Sequence, residues 1–183
     1  MRRPITALVA AGLLAACASA PPAPREPVAP PSPPRADAGT ASLAHANLSA
    51  ASATLASGRI ALRAEAEGVR LGGEIGGLSR NGAHVLQVHA QGDCSAIDAS
   101  SAGPYFDAGG SGALGGSDRI IANERGVARV DQLVRHAVLG GGAANDIVGR
   151  SLVVLGSTAG ATGARIACGV ITIAPDGASQ EKE

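Results

Sequence analysis

The sequence predicts an all-β sandwich or barrel, and three observations carry that expectation. Short apolar segments with partial two-residue alternation recur from about residue 48: "GRIALRAEA", "GVRLGGEIGG", "AHVLQVHA", "GVARVDQLV", "GRSLVVLG" and "ARIACGVITIA". They are separated by turn signals, among the chain's 26 Gly residues and the "NG" pair at 81–82. Strands of this length between Gly turns build sandwiches or barrels. Finally, Tyr105 and Phe106 are the only aromatic residues, so the core must be made of Val, Ile, Leu and Ala. Only "RVDQLVRHAVL", 129–139, can be argued as helical, and it is short.

The chain opens with "MRRPITALVAAGLLAAC", a basic start followed by an apolar run that is too short for a stable bilayer-spanning helix. Leu14-Ala15-Ala16-Cys17 resembles a bacterial lipoprotein lipobox. That resemblance implies a signal peptide over 1–17, cleavage before Cys17 and acyl chains on Cys17. An ordinary secretory signal cut near "ASA" at 18–20 is the alternative. Ala18 after the Cys points to the outer membrane, with the domain facing the periplasm, and the lipid on Cys17 makes the membrane the first expected partner.

Residues 18–45 read as a Pro-rich tether, with eight of the 11 Pro between Pro21 and Pro34. Such a segment favours extended polyproline II, and about 25 residues of it reach at most roughly 75 Å. The folded domain is expected over 46–175 and a polar tail over 176–183.

Charge excludes one class of function. Lys and Arg number 15, as do Asp and Glu; losing Arg2 and Arg3 with the signal leaves 13 basic against 15 acidic side chains. No basic run exists, so there is no electrostatic case for nucleic acid. The Gly-rich segment "DAGGSGALGGSD", 107–118, is not followed by Gly-Lys-Ser/Thr, so a phosphate cradle is not indicated.

With Cys17 assigned to lipid, Cys94 and Cys168 remain. An exported protein favours a bridge between them, which the chain-entropy model values at roughly 4 kcal/mol; two free thiols serving as a redox or metal pair are the other reading.

Four stretches carry a family resemblance: "HVLQVHAQGDC", "SAGPYF", "DIVGRSLVV" and "ARIACGVI". In order and spacing they resemble the bacterial Cu/Zn superoxide dismutases over about residues 48–174. The resemblance implies an eight-stranded Greek-key β-sandwich or flattened barrel, with Cys94 and Cys168 as its disulfide. It also implies a copper held by four imidazoles, a ligand type that suits both copper oxidation states, and a zinc held by three His and an Asp.

This sequence departs from that ligand set almost everywhere. Gln87 stands at the first copper position, while His89 keeps the second. Tyr105 replaces the bridging His and Leu155 the last copper His. The other two zinc His positions fall in 107–118, which contains no His, leaving Asp118 at the zinc Asp position. His84 matches a structural His that hydrogen-bonds to backbone, and Arg165 matches the anion-guiding Arg, which in the family also hydrogen-bonds to the loop held by the disulfide; without copper the structural role is the expected one. His45 is expected at the linker edge and His136 on the far segment.

Without the ligand set, no cofactor is expected; copper and zinc belong only to the case in which the family function persists. The expected function is therefore a catalytically inactive, dismutase-like envelope lipoprotein acting as a binding or structural module, with a homodimer or an envelope protein as possible partner. The alternative is a weak metal binder with residual dismutase or copper-handling activity.

Overall fold

The computed structural model describes residues 39–109, 119–156 and 163–175. Cys17, the Pro-rich segment, Asp118 and the tail from 176 lie outside these residues.

Eight strands follow one another: β1 (Leu43–Ala50), β2 (Ser57–Glu65), β3 (Gly68–Gly76), β4 (Ala83–His89), β5 (Arg119–Ile121), β6 (Ala128–Arg135), β7 (Ser151–Leu155) and β8 (Arg165–Ile173). Their order across the sheet is β5-β4-β7-β8-β1-β2-β3-β6, with every neighbouring pair antiparallel. A bridge between Ala122 and Ala128 draws the two sheet ends together, so the sheet is a nearly closed barrel. Closing the sheet protects the edges that an open one would leave for aggregation.

Two-residue alternation supplies the core. Ile60 and Leu62 of β2, Leu71 and Ile75 of β3, Leu86 and Val88 of β4, and Leu152 and Val154 of β7 all point inward and are buried. Arg59, Arg63, Arg129 and Asp131 alternate outward. A smaller apolar cluster lies outside the main one: Ala51, Ala99, Ala102, Val153 and Cys168, with Cys94 and Leu155 packed against it.

Two expectations need correction. The strands begin at Leu43, inside the 18–45 span read as tether, because β1 pairs with both neighbours and buries Ala44, Ala46 and Leu48. Its composition, "LAHANLSA", contains no β-branched residue, which is why it does not read as a strand. His45 accordingly sits within β1, opposite Thr172 and Ala61, rather than at a linker edge. The stretch 129–139 is not helical: Ala128, Val130 and Val134 turn inward at strand spacing, and β6 pairs along β3 from Ala128 to Arg135.

Candidate functional site

The two residues of β4 that share parity, Gln87 and His89, lie on the outer side of the barrel wall, away from Leu86 and Val88. In the antiparallel pairing with β7, Gln87 stands opposite Val153 and Val85 opposite Leu155. Directly opposed residues share a face, so Leu155 belongs to the same surface. Tyr105 joins through a bridge to His89. The fold thus brings Gln87, His89, Tyr105 and Leu155 onto one patch, as the resemblance implies.

His89 is the chemically informative member. It is 4% exposed, and its Nδ1 lies 2.9 Å from the carbonyl oxygen of Gly103. A carbonyl only accepts, so Nδ1 carries the hydrogen and donates it. Nε2 is buried and has no partner. Burial pushes the His89 pKa below its ordinary value of 6.5; the contact to Gly103 opposes this, and the Arg165 charge adds to the lowering. The neutral imidazole therefore presents a lone pair at Nε2.

This shift has a measurable consequence. A His held below its unfolded pKa stabilises the fold fully above that pKa, and the contribution fades as pH falls towards the folded value. Stability should begin to drop below about pH 6.5. His89→Gln should lose less than the parent between pH 7.5 and 5.5 in urea midpoints; equal losses would refute this assignment.

Arg165, at the start of β8, turns its guanidinium onto the loop above the patch. It donates to the carbonyl oxygens of Ala99 (2.7 Å), Ser100 (3.1 Å) and Gly103 (2.7 Å). His89 and Arg165 therefore meet on the same Gly103 oxygen. Gly103 has a left-handed φ of 72°, and a Cβ there would fall 2.6 Å from the Gln91 side chain, so the residue must stay Gly. The disulfide expected between Cys94 and Cys168 is formed, with Cα atoms 5.7 Å apart. It fastens the same loop to β8.

His84 has the opposite parity and faces the core, 1% exposed. Neither of its ring nitrogens finds a hydrogen-bond partner, so the backbone contact implied for it is not made. His45 approaches Thr172 Oγ1 at 3.3 Å, and His136 is exposed in a left-handed conformation after β6. Neither joins the patch.

Two residues escaped the sequence reading. Asp146 is buried and accepts three backbone N–H groups, from Gly140, Gly142 and Val148, each at 2.9 Å. Arg150 stacks its guanidinium 3.5 Å over the Phe106 ring and donates to the carbonyls of Asp146 and Ala90. Both belong to "DIVGRS", so the motif marked them, but it marked no role.

The donor set can be tested against a copper centre. Leu155 offers no donor and packs into the outer apolar cluster. Gln87 offers a hard amide, and a neutral Tyr105 phenol cannot bridge two metals as an imidazolate does. Among the described residues, no three His, Cys, Asp or Glu side chains come together in a way that could hold a metal ion. One imidazole on this face does not make the family's centre, and the residues present do not fit it.

The profile of the family described as Copper/zinc superoxide dismutase (SODC) matches residues 56–171. That span runs from the turn before β2 into β8, and it takes in the ligand-position patch, the disulfide and the Arg165 clamp together. By this match, and by the barrel that carries it, the chain belongs to the copper/zinc superoxide dismutase family.

Proposed function

We propose that this protein is a dismutase-like module of a bacterial envelope that does not dismutate superoxide and serves in binding or structure. One observation carries the reading: the face that should gather four imidazoles gathers His89 alone, with Gln87, Tyr105 and Leu155 beside it. Arg165 keeps a structural role in this reading, its donors holding loop carbonyls. A guiding charge has no object where no redox metal is held.

Attachment belongs to the same proposal. A lipid on Cys17 would anchor the chain to the outer membrane, each buried methylene contributing about 0.8 kcal/mol. Cys17→Ser is expected to move the protein from the membrane to the soluble fraction; unchanged partition would overturn the anchor.

The buried, unpartnered Nε2 of His89 favours a second reading, a weak copper or zinc handler. One preparation separates the two. The full chain carrying Cys17→Ser is loaded with copper and zinc, cleared of excess, and assayed for bound metal and superoxide consumption. Metal-free, folded protein with no dismutation is expected. Stoichiometric copper with rapid dismutation would sink the first reading, and retained metal without turnover would support the second.

A further inference from the structure

β2, β3 and β6 form a stretch of barrel wall separate from the β4 and β7 strands that carry the His89 patch. Pairing sets their outward side chains in rows across the strands. Arg59, Glu74 and Arg129 stand opposite one another in one row. Two residues along β2, Ala61 faces Gly72, and two further along, Arg63 faces Arg70. Directly opposed residues share a face. Ala61 and Gly72 are therefore a low floor between two banks that carry Arg. A Cβ on Gly72 would meet nothing within 4 Å, so the space above it is open. Strand rise puts the banks roughly 13 Å apart.

Charge on this wall is not arranged for stability. Like charges directly opposite each other weaken a sheet, yet Arg63 faces Arg70. Arg70 is offset by two carboxylates, with Nε 2.9 Å from Glu65 and Nη1 2.8 Å from Asp131. Both of those carboxylates are thereby engaged. Arg59, Arg63 and Arg129 are exposed, and none of them forms an ion pair among the described residues. Glu74 lies between Arg59 and Arg129 in register and pairs with neither. Both banks of the furrow thus hold guanidinium groups whose hydrogen-bonding forks face outward. No basic run marks them in the sequence, because strand pairing gathers them.

We propose that this furrow binds an acidic polysaccharide, laid across the strands with its carboxylates held by Arg59 and Arg129 on one bank and Arg63 on the other. Guanidinium forks match carboxylates in planar, paired hydrogen bonds, whereas Lys offers only a point charge. The described residues contain no Lys. A floor of Ala and Gly admits a chain between the banks; a planar bilayer would meet the banks alone. Tyr105 and Phe106, the only aromatic residues, lie beside β4, so nothing in the furrow can stack the bases of a single-stranded nucleic acid. Glu74 keeps the face weakly positive, so one sugar unit binds poorly and affinity comes from several carboxylates on one chain. The surface supplies a partner for a binding module, and it does so whether or not the His89 face holds a metal.

Fluorescence anisotropy of a labelled polygalacturonate oligomer, titrated with the full chain carrying Cys17→Ser, tests this. Saturable binding is expected, weakening as salt rises from about 20 to about 200 mM. Replacing Arg59, Arg63 and Arg129 together by Gln should weaken it by at least about 10-fold. Gly72→Leu, which fills the floor and leaves every charge in place, should weaken it too. Replacing Arg80 and Arg125 by Gln removes two exposed charges in loops outside the furrow and should leave binding at the parent level. A folded parent with no saturable binding at low salt would overturn the proposal. So would folded triple and Gly72→Leu variants that bind like the parent, or a loop variant that loses as much as the triple. Tighter binding to phosphatidylglycerol vesicles or to a single-stranded oligonucleotide would overturn the choice of partner. Each of these outcomes is independent of metal content and dismutation, so failure here leaves the reading of the His89 face standing.

Discussion

Replacing Cys94 and Cys168 together by Ser is expected to lower unfolding stability by about 4 kcal/mol, and Tm by roughly 10–20 °C. The bridge spans 74 positions, so its absence returns a long loop's worth of freedom to the unfolded chain. Native contacts add to this. Cys168 and Cys94 belong to the outer apolar cluster, and the loop they fasten presents the Ala99, Ser100 and Gly103 carbonyls to Arg165. In a core without large aromatics, few other contacts can offset the loss. Urea titrations of the double variant and the parent, both without reductant, measure the difference. A gap below about 1 kcal/mol would mean that Arg165 holds the loop without the bridge.

Asp146→Ala should cost about 3–5 kcal/mol, a large effect for one substitution. Both carboxylate oxygens are engaged, Oδ1 by Gly140 and Val148 and Oδ2 by Gly142. Removing them leaves three N–H groups without their acceptor in and near the interior. The Gly140–Gly142 run is left-handed at all three residues, with φ of 77°, 93° and 71°, and the carboxylate holds two of the three N–H groups in that shape. Asp146→Asn keeps one acceptor and should lose roughly half as much. The comparison is read from thermal or urea unfolding of the two variants. Equal losses for Asn and Ala would show that volume, not acceptance, sets the cost.

What the sequence revealed and what it hid follow from physical causes. Strand parity alone places Gln87 and His89 on one face and His84 on the other, and the structure keeps that division. The substituted positions were legible because each falls in a motif whose spacing survives. The start of β1 was hidden because Ala, His and Asn carry little strand preference; its place between β2 and β8 decides its conformation. In β6, the half-exposed Gln132 and Leu133 blur the alternation that Ala128, Val130 and Val134 keep. The role of Asp146 depends on a left-handed glycine turn, which is not written in residue spacing. Within "DIVGRS" the letters name a structural knot without saying which atoms it ties.

The path of the chain into the barrel carries a mechanical consequence. Ala41 donates its N–H to the Leu139 carbonyl, and Gly39 lies so close to the Leu139 backbone that a Cβ would not fit. The polypeptide therefore enters β1 at a fixed point. From there β1 runs between β2 and β8, hydrogen-bonded to both. A pull on the start of β1, opposed at the Leu48–Ala50 end of the barrel, acts along the strand axis. It must slide β1 past two neighbours at once, so many bonds share the load and yield together. Had β1 been an edge strand pulled from the side, the same bonds would break one after another under much less force. The resistance has a direction: Ala44 at the start of β1 faces Ile173 at the end of β8, so a pull opposed at that end of β8 would peel the pair apart instead.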